Sequence, residues 1–284
     1  MNKKEKVALV IEGGGFKSVF SAGVLDAFLI NKFNPFDIYI GVSSGAMCLS
    51  YYVASQYKKY FSLSKEVSVN KNFLSYRNSL SEQGYMDLNF LSKYAKEHNP
   101  IDFEHIKEST KNKQFYIVAT NLENGEAVYL EPNKKNFYKC LQATSSLPFF
   151  TKGSCEINGV NFMDGAWSDS IPAKSAADFG ANKIIVIRPH PLGYKVNGLS
   201  YLSLLAGYWW KNNPKVRDNF FKEENNYNEA VDFLKKKHKN IEILQICPDN
   251  FLKSGVVGTS KEDLTQDYHN GLEKGMDFLN ANFL

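Results

Sequence analysis

Val7-Ala-Leu-Val-Ile11 is apolar at every position, and it runs into Glu12 and three consecutive glycines before a helical pattern begins. A strand with one wet face alternates polar and apolar side chains, so one that does not alternate is expected to be covered on both faces. The arrangement recurs: residues 36–42 read as a second buried strand, Ser43-Ser44-Gly45 breaks it, and 46–55 read as a helix. Two such strand–turn–helix units predict an α/β fold of three layers, a central mostly parallel sheet flanked by helices. A chain of 284 residues can enclose such a sheet, since chains near that size bury about 75% of the surface they expose unfolded.

Further strands are predicted at 114–120 and 126–130, joined by an Asn124-Gly125 hairpin turn, and at 155–157 and 160–163, joined by Asn158-Gly159. Residues 183–188 and 241–247 complete the set. Residues 57–113 and 191–239 read as helical excursions from one domain spanning 1–284, and 261–280 as helix or loop. The helix 136–145 is expected to stop before Pro148.

Composition narrows the function classes. Lys and Arg exceed Asp and Glu by 34 to 30, a net +4 far short of the basic stripe of a nucleic-acid binder. Cys48, Cys140, Cys155 and Cys247 form no CxxC unit, and four reduced thiols in a reducing compartment are expected. No H-E-x-x-H, calcium loop or Cys/His cluster is present, so neither metal nor cofactor is expected. No apolar run approaches the 18 residues of a membrane span. The expected location is therefore cytoplasmic, with any membrane contact peripheral.

Glu12-Gly13-Gly14-Gly15-Phe16-Lys17-Ser18 lies between a strand and a helix. Its backbone N–H groups and the helix N-terminus should converge on something anionic. A P-loop would need glycine where Ile11 and Phe16 stand, and a dinucleotide loop would need glycine at Ser18. Gly41-Val42-Ser43-Ser44-Gly45 fits G-x-S-x-G, a strand–elbow–helix that presents a serine oxygen from a strained turn. Both loops fall at the carboxyl edge of the sheet, where open α/β sheets bind ligands. Ser43 as nucleophile with the Gly13–Gly15 amides as oxyanion hole then makes one site.

The serine needs a base. Among the five histidines only His190 sits where a catalytic loop is expected, just beyond a predicted strand, and a loop histidine at a strand exit explains it equally well. Asp164 ends an apolar strand in Phe162-Met163-Asp164-Gly165-Ala166. Asp-Gly is most often only a turn. Desolvation would raise an aspartate's pKa from near 4 and make it a usable base.

Glycine loop after the first strand, early G-x-S-x-G after the second, and Asp-Gly-Ala far downstream together resemble the patatin-like phospholipases. Phe20–Leu25, Ala143-Thr144-Ser145-Ser146-Leu147-Pro148 and Asn34-Pro35-Phe36-Asp37 extend the likeness, which is nearest to bacterial intracellular members and runs over 6–190, leaving 191–284 as a variable helical part. The resemblance implies a serine acyl hydrolase of phospholipid or other acyl-ester lipids. Ser43 and Asp164 would form its catalytic dyad, Gly13, Gly14, Gly15 and Phe16 its oxyanion hole, and Lys17, Gly41, Gly45, Gly165 and Ala166 the supporting motif. Lys17-Ser18 stands where that family usually carries Arg-Gly; Lys keeps the charge and loses the fork geometry. Lys17 is expected to support the loop or to attract anionic head groups. An acyltransferase sharing the acyl-enzyme, and a non-catalytic lipid-binding regulator, remain as alternatives. Phe149-Phe150 and Tyr208-Trp209-Trp210 suit a membrane interface, with core or lid packing the favoured reading.

Overall fold

The structure is a computed structural model that describes residues 5–77 and 83–283. Residues 1–4 and 284 of the expected domain, and 78–82 of its first helical excursion, lie outside the described residues. Eight strands form one sheet: β1 (Val7–Ile11), β2 (Ile38–Val42), β3 (Gln114–Asn121), β4 (Ala127–Leu130), β5 (Cys155–Ile157), β6 (Val160–Asp164), β7 (Lys183–Ile187) and β8 (Glu242–Ile246). The order is β5-β6-β3-β2-β1-β7-β8, with β4 also paired to β3. The run β3-β2-β1-β7-β8 is parallel throughout, and β4, β5 and β6 join antiparallel at one side.

The apolar run of β1 is explained by its two neighbours. Leu9 and Ile11 enter one core with Tyr39, Ile117 and Ile185, under the helices Ser18–Ile30 and Ser44–Val53. Ala8 and Val10 enter the other with Ile38, Ile40 and Val186, under the helices Ala173–Asp178 and Glu223–Lys235. Successive side chains of a strand point to opposite faces, so burial on both faces leaves no polar position.

The C-terminal segment, read only as helix or loop, is one helix, Lys261–Asn282, laid along Ser18–Ile30. The crossing is close because glycines meet backbone: a Cβ on Gly271 would stand 2.0 Å from the Phe20 carbonyl oxygen. Residues 57–113 carry the helices Lys59–Val67, Leu88–His98 and Phe103–Ser109, with one isolated bridge, Leu74 to Met86, among the described residues.

The favoured packing reading of the Tyr208-Trp209-Trp210 aromatics fails for two of them. Trp210 packs against the small cluster that holds Val216 and Phe220. Tyr208 and Trp209, on the helix Tyr201–Trp209, are 69% and 75% exposed. That helix turns its small residues inward, and Gly207 lies so close to the Phe221 ring that a Cβ would come within 2.7 Å of it.

Candidate active site

β2 passes into the helix Ser44–Val53 through a single residue, Ser43, at φ 53° and ψ −133°. A non-glycine residue at positive φ stores strain, and the surroundings must hold it there. The flanking glycines permit the turn. A Cβ on Gly41 would stand 2.5 Å from the Cα of Ala46, and one on Gly45 would stand 2.6 Å from the Glu12 carbonyl oxygen. Thr144 clamps the elbow: its hydroxyl accepts the Ser43 N–H at 2.8 Å and donates to the Val118 carbonyl. Thr144 lies in the segment 143–148, whose sequence carries no mark of this clamping role.

Asp164 reaches Ser43 through strand register. Val42 pairs with Val118 on β3, and Asp164 pairs with Ala119. Ala119 also pairs with Val128 of β4 on its other edge, so β6 takes up the edge that β2 vacates. The Ser43 hydroxyl donates to Asp164 Oδ2 at 2.6 Å. The second carboxylate oxygen accepts the Ala166 N–H at 2.9 Å. Asp164 is buried, and burial pushes its pKa up to about 7 against the opposing hydrogen bonds from Ser43 and Ala166.

The glycine loop folds over the same spot. Gly13 abuts the serine elbow so closely that a Cβ would stand 2.8 Å from the Ser43 Cβ. Among the described residues the Gly13 and Gly15 N–H groups donate to no protein acceptor. Gly14 N–H makes a long hydrogen bond, 3.2 Å, to the Ser44 hydroxyl, which also meets the Ser18 hydroxyl at 2.7 Å. Phe16 N–H donates to the Val256 carbonyl at 3.3 Å. Gly13 and Gly15 are thus the free donors of the expected four.

Behind the loop lies a buried cluster that sequence reasoning missed. Glu12 accepts from Arg188 Nε at 2.9 Å and Tyr227 OH at 2.8 Å, and its other close neighbour is His190 Nδ1 at 3.0 Å. Burial works to raise the Glu12 pKa, but His190, Arg188 and Tyr227 together hold it below the ordinary carboxylate value. Lys17 turns toward this cluster, with Nζ 3.4 Å from His190 Nε2, and burial lowers its pKa although Glu12 and Asp267 favour the charge. Both His190 nitrogens are therefore occupied away from Ser43. The Arg188-Pro189-His190 run was a signal only for His190. Tyr227 lies in a polar helical stretch that carries no motif.

Ser43 and Asp164 open onto a cavity of about 320 Å³. Its apolar lining includes Phe16, Met47, Leu63, Val67, Phe73 and Leu91. Burial of an acyl chain against such a lining is favourable by about 0.8 kcal/mol per methylene. No cluster of three or more His, Cys, Asp or Glu able to hold a metal ion occurs among the described residues. No helix among them is long and apolar enough to cross a membrane.

A serine elbow facing a glycine loop, on a three-layer α/β sheet beside an apolar cavity, defines a class of lipid acyl hydrolases. This chain belongs to the patatin-like phospholipase family, whose sequence profile matches residues 9–177. A second profile, a domain of unknown function called DUF6363, matches residues 213–283. That segment supplies β8 at the sheet edge and the helix Lys261–Asn282. The chain is 29% identical over 278 residues to the uncharacterized protein YjjU of Escherichia coli K12, covering 96% of this chain and 77% of that protein. It also matches the crystal structure of VipD from Legionella pneumophila with a TM-score of 0.53 and 12% identity, over 98% of this chain and 67% of that one. At that identity the likeness is one of fold.

Proposed function

We propose that the protein is a serine acyl hydrolase of phospholipids or related acyl-ester lipids, working through a Ser43–Asp164 dyad. The observation that carries this reading is the 2.6 Å hydrogen bond from the Ser43 hydroxyl to a buried carboxylate at the base of an apolar cavity. Ser43 Oγ attacks the ester carbonyl carbon while its proton passes to Asp164 Oδ2. The carbonyl oxygen becomes an oxyanion held by the Gly13 and Gly15 N–H groups, with Gly14 N–H joining if it leaves the Ser44 hydroxyl. Collapse breaks the bond to the leaving alcohol, which takes the proton back from Asp164. Water then attacks the acyl-enzyme as Asp164 accepts one of its protons, and that proton returns to Ser43 as the fatty acid departs.

A carboxylate with a pKa about 7 suits this work, because a base is most effective when its pKa lies near the operating pH. The test is lipid-product profiling of wild type beside Ser43→Ala. Free fatty acid should appear with wild type and disappear with the variant. Acyl transfer to an added alcohol in preference to water would make the protein an acyltransferase. Lipid binding with no labelling of Ser43 by a fluorophosphonate would leave it a non-catalytic binder.

A further inference from the structure

The helix Tyr201–Trp209 is inverted in polarity. Ser203, Ala206 and Gly207 face the protein, whereas Tyr201, Leu204, Leu205, Tyr208 and Trp209 are exposed. Positions 201, 204, 205 and 208 fall at i, i+3, i+4 and i+7, a single helical face. Packing the protein would normally turn that face inward, since burying one such side chain is favourable by about 1.5–3 kcal/mol. Phe149, held at φ 67° and itself exposed, extends the surface with its ring 6.5 Å from that of Trp209.

The surface borders the cavity. The Ser203 hydroxyl, on the inner side of the helix, donates to the Glu223 carboxylate, and Glu223 lines the cavity with Ser43. Leu147 and Thr151, on either side of Phe149, line it too. The chain that follows the helix exposes cations. Lys211, Lys215 and Lys222 are exposed and Arg217 is paired with Asp218, while of the two carboxylates that come next Glu223 is turned inward to Ser203 and Glu224 is half-buried. Lys211 holds its ammonium 4.9 Å above the Tyr208 ring. Lys152, three residues beyond Phe149, is exposed.

We propose that this face is a docking surface for an anionic phospholipid bilayer, which it seats against the mouth of the cavity. The inference deepens the acyl-hydrolase reading and rests on it for the purpose of docking. Tyr and Trp prefer the head-group region, where an apolar ring is buried and its polar edge stays wet. Each lysine near an anionic membrane adds about 1 kcal/mol of attraction, screened by salt. A second copy of this chain would meet the same cations across a two-fold contact, and like charges would then face each other.

The test is co-sedimentation with phosphatidylcholine vesicles with and without phosphatidylserine. It compares wild type, Tyr208→Ser/Trp209→Ser and Lys211→Gln/Lys215→Gln/Lys222→Gln. Wild type should partition onto the phosphatidylserine vesicles, and the aromatic variant should bind at least about tenfold more weakly, the equivalent of 1.4 kcal/mol. The lysine variant should lose the preference for phosphatidylserine and most of the salt sensitivity. Both should hydrolyse a short soluble ester as wild type does, which also certifies their folds. Ser43→Ala should bind vesicles like wild type, so a failure of docking and a failure of the hydrolase reading are read separately. Wild type that does not partition, or an aromatic variant that partitions equally, overturns the proposal. So does a wild-type dimer that the aromatic changes dissociate while neither form binds vesicles.

Discussion

Val42 and Asp164 take consecutive places along one edge of β3, opposite Val118 and Ala119. β2 ends at Val42 and β6, running the other way, ends at Asp164, so the two strand ends meet on a common ruler. Ser43 leaves β2 at that junction and finds the carboxylate 2.6 Å away. Strand pairing thus sets the separation of the proposed nucleophile and base. A one-residue slip of β6 would turn Asp164 to the opposite face of the sheet.

Asp164→Asn keeps the size and the Ala166 hydrogen bond and removes the proposed proton acceptor. Turnover of a short ester should fall by about 100- to 10,000-fold. Stability should move the other way. The folded pKa, about 7, is above the ordinary value of 3.8, so the native chain holds a proton that the unfolded chain has released between those values. Ionising the buried group therefore costs stability progressively as pH rises toward 7, and the full cost is present above it. At about 1.4 kcal/mol per pKa unit the ceiling is several kcal/mol. Thermal melts should show the variant more stable than wild type above pH 7, with the gap closing as pH falls toward 4.

The same shift fixes a pH profile. As the proposed base Asp164 must be ionised to accept the serine proton, so kcat/KM for a neutral ester should rise with pH through about 7. Histidine is the other side chain that commonly serves as such a base, and His190→Ala separates the two. Its ring nitrogens face Glu12 and Lys17, not Ser43. The variant should retain the rising limb and most of the turnover. Disappearance of the limb would make His190 the base.

What could be read in the sequence was local or periodic. The apolar runs of β1, β2 and β7 needed no partner to be recognised, and Asn124-Gly125 and Asn158-Gly159 announced their hairpins. The serine elbow carried its own glycines. Pairing of β6 to β3 beyond the end of β2 was not legible, and that pairing is what brings together Ser43 and Asp164, 121 residues apart in the chain. Nor was the buried cluster of Glu12, Arg188, His190 and Tyr227, whose members share no spacing. The exposed aromatics of Tyr201–Trp209 defeated a rule of thumb: large rings usually pack, and here small residues take the inner face.

Lys17 offers a sharper contrast than the sequence allowed. Its ammonium turns inward toward His190 and Glu12, which favours loop support over contact with a lipid head group. Lys17→Ala should lower kcat/KM by about tenfold, roughly 1.4 kcal/mol of lost transition-state stabilisation, and equally for a short neutral ester and an anionic lipid. The ratio of the two rates is the measurement. A loss confined to the anionic lipid would place the ammonium on the head group.

Thr144 is the residue on which the elbow's geometry should depend most. Its hydroxyl satisfies the Ser43 N–H and the Val118 carbonyl together, both buried. Thr144→Val preserves the shape and removes that bridge, leaving a buried donor and acceptor unpaired at about 1–3 kcal/mol. The melting temperature should drop by several degrees. Ser43 sits at φ 53°, where a non-glycine residue stays only under external constraint. Loosening the clamp should let the serine relax away from Asp164, so kcat should fall while KM for a short ester stays near its wild-type value. Thr144→Ser, which keeps the hydroxyl, should restore both kcat and most of the stability. A Thr144→Val protein that melts lower yet turns over normally would show that Gly41, Gly45 and the Asp164 hydrogen bond hold the elbow without Thr144.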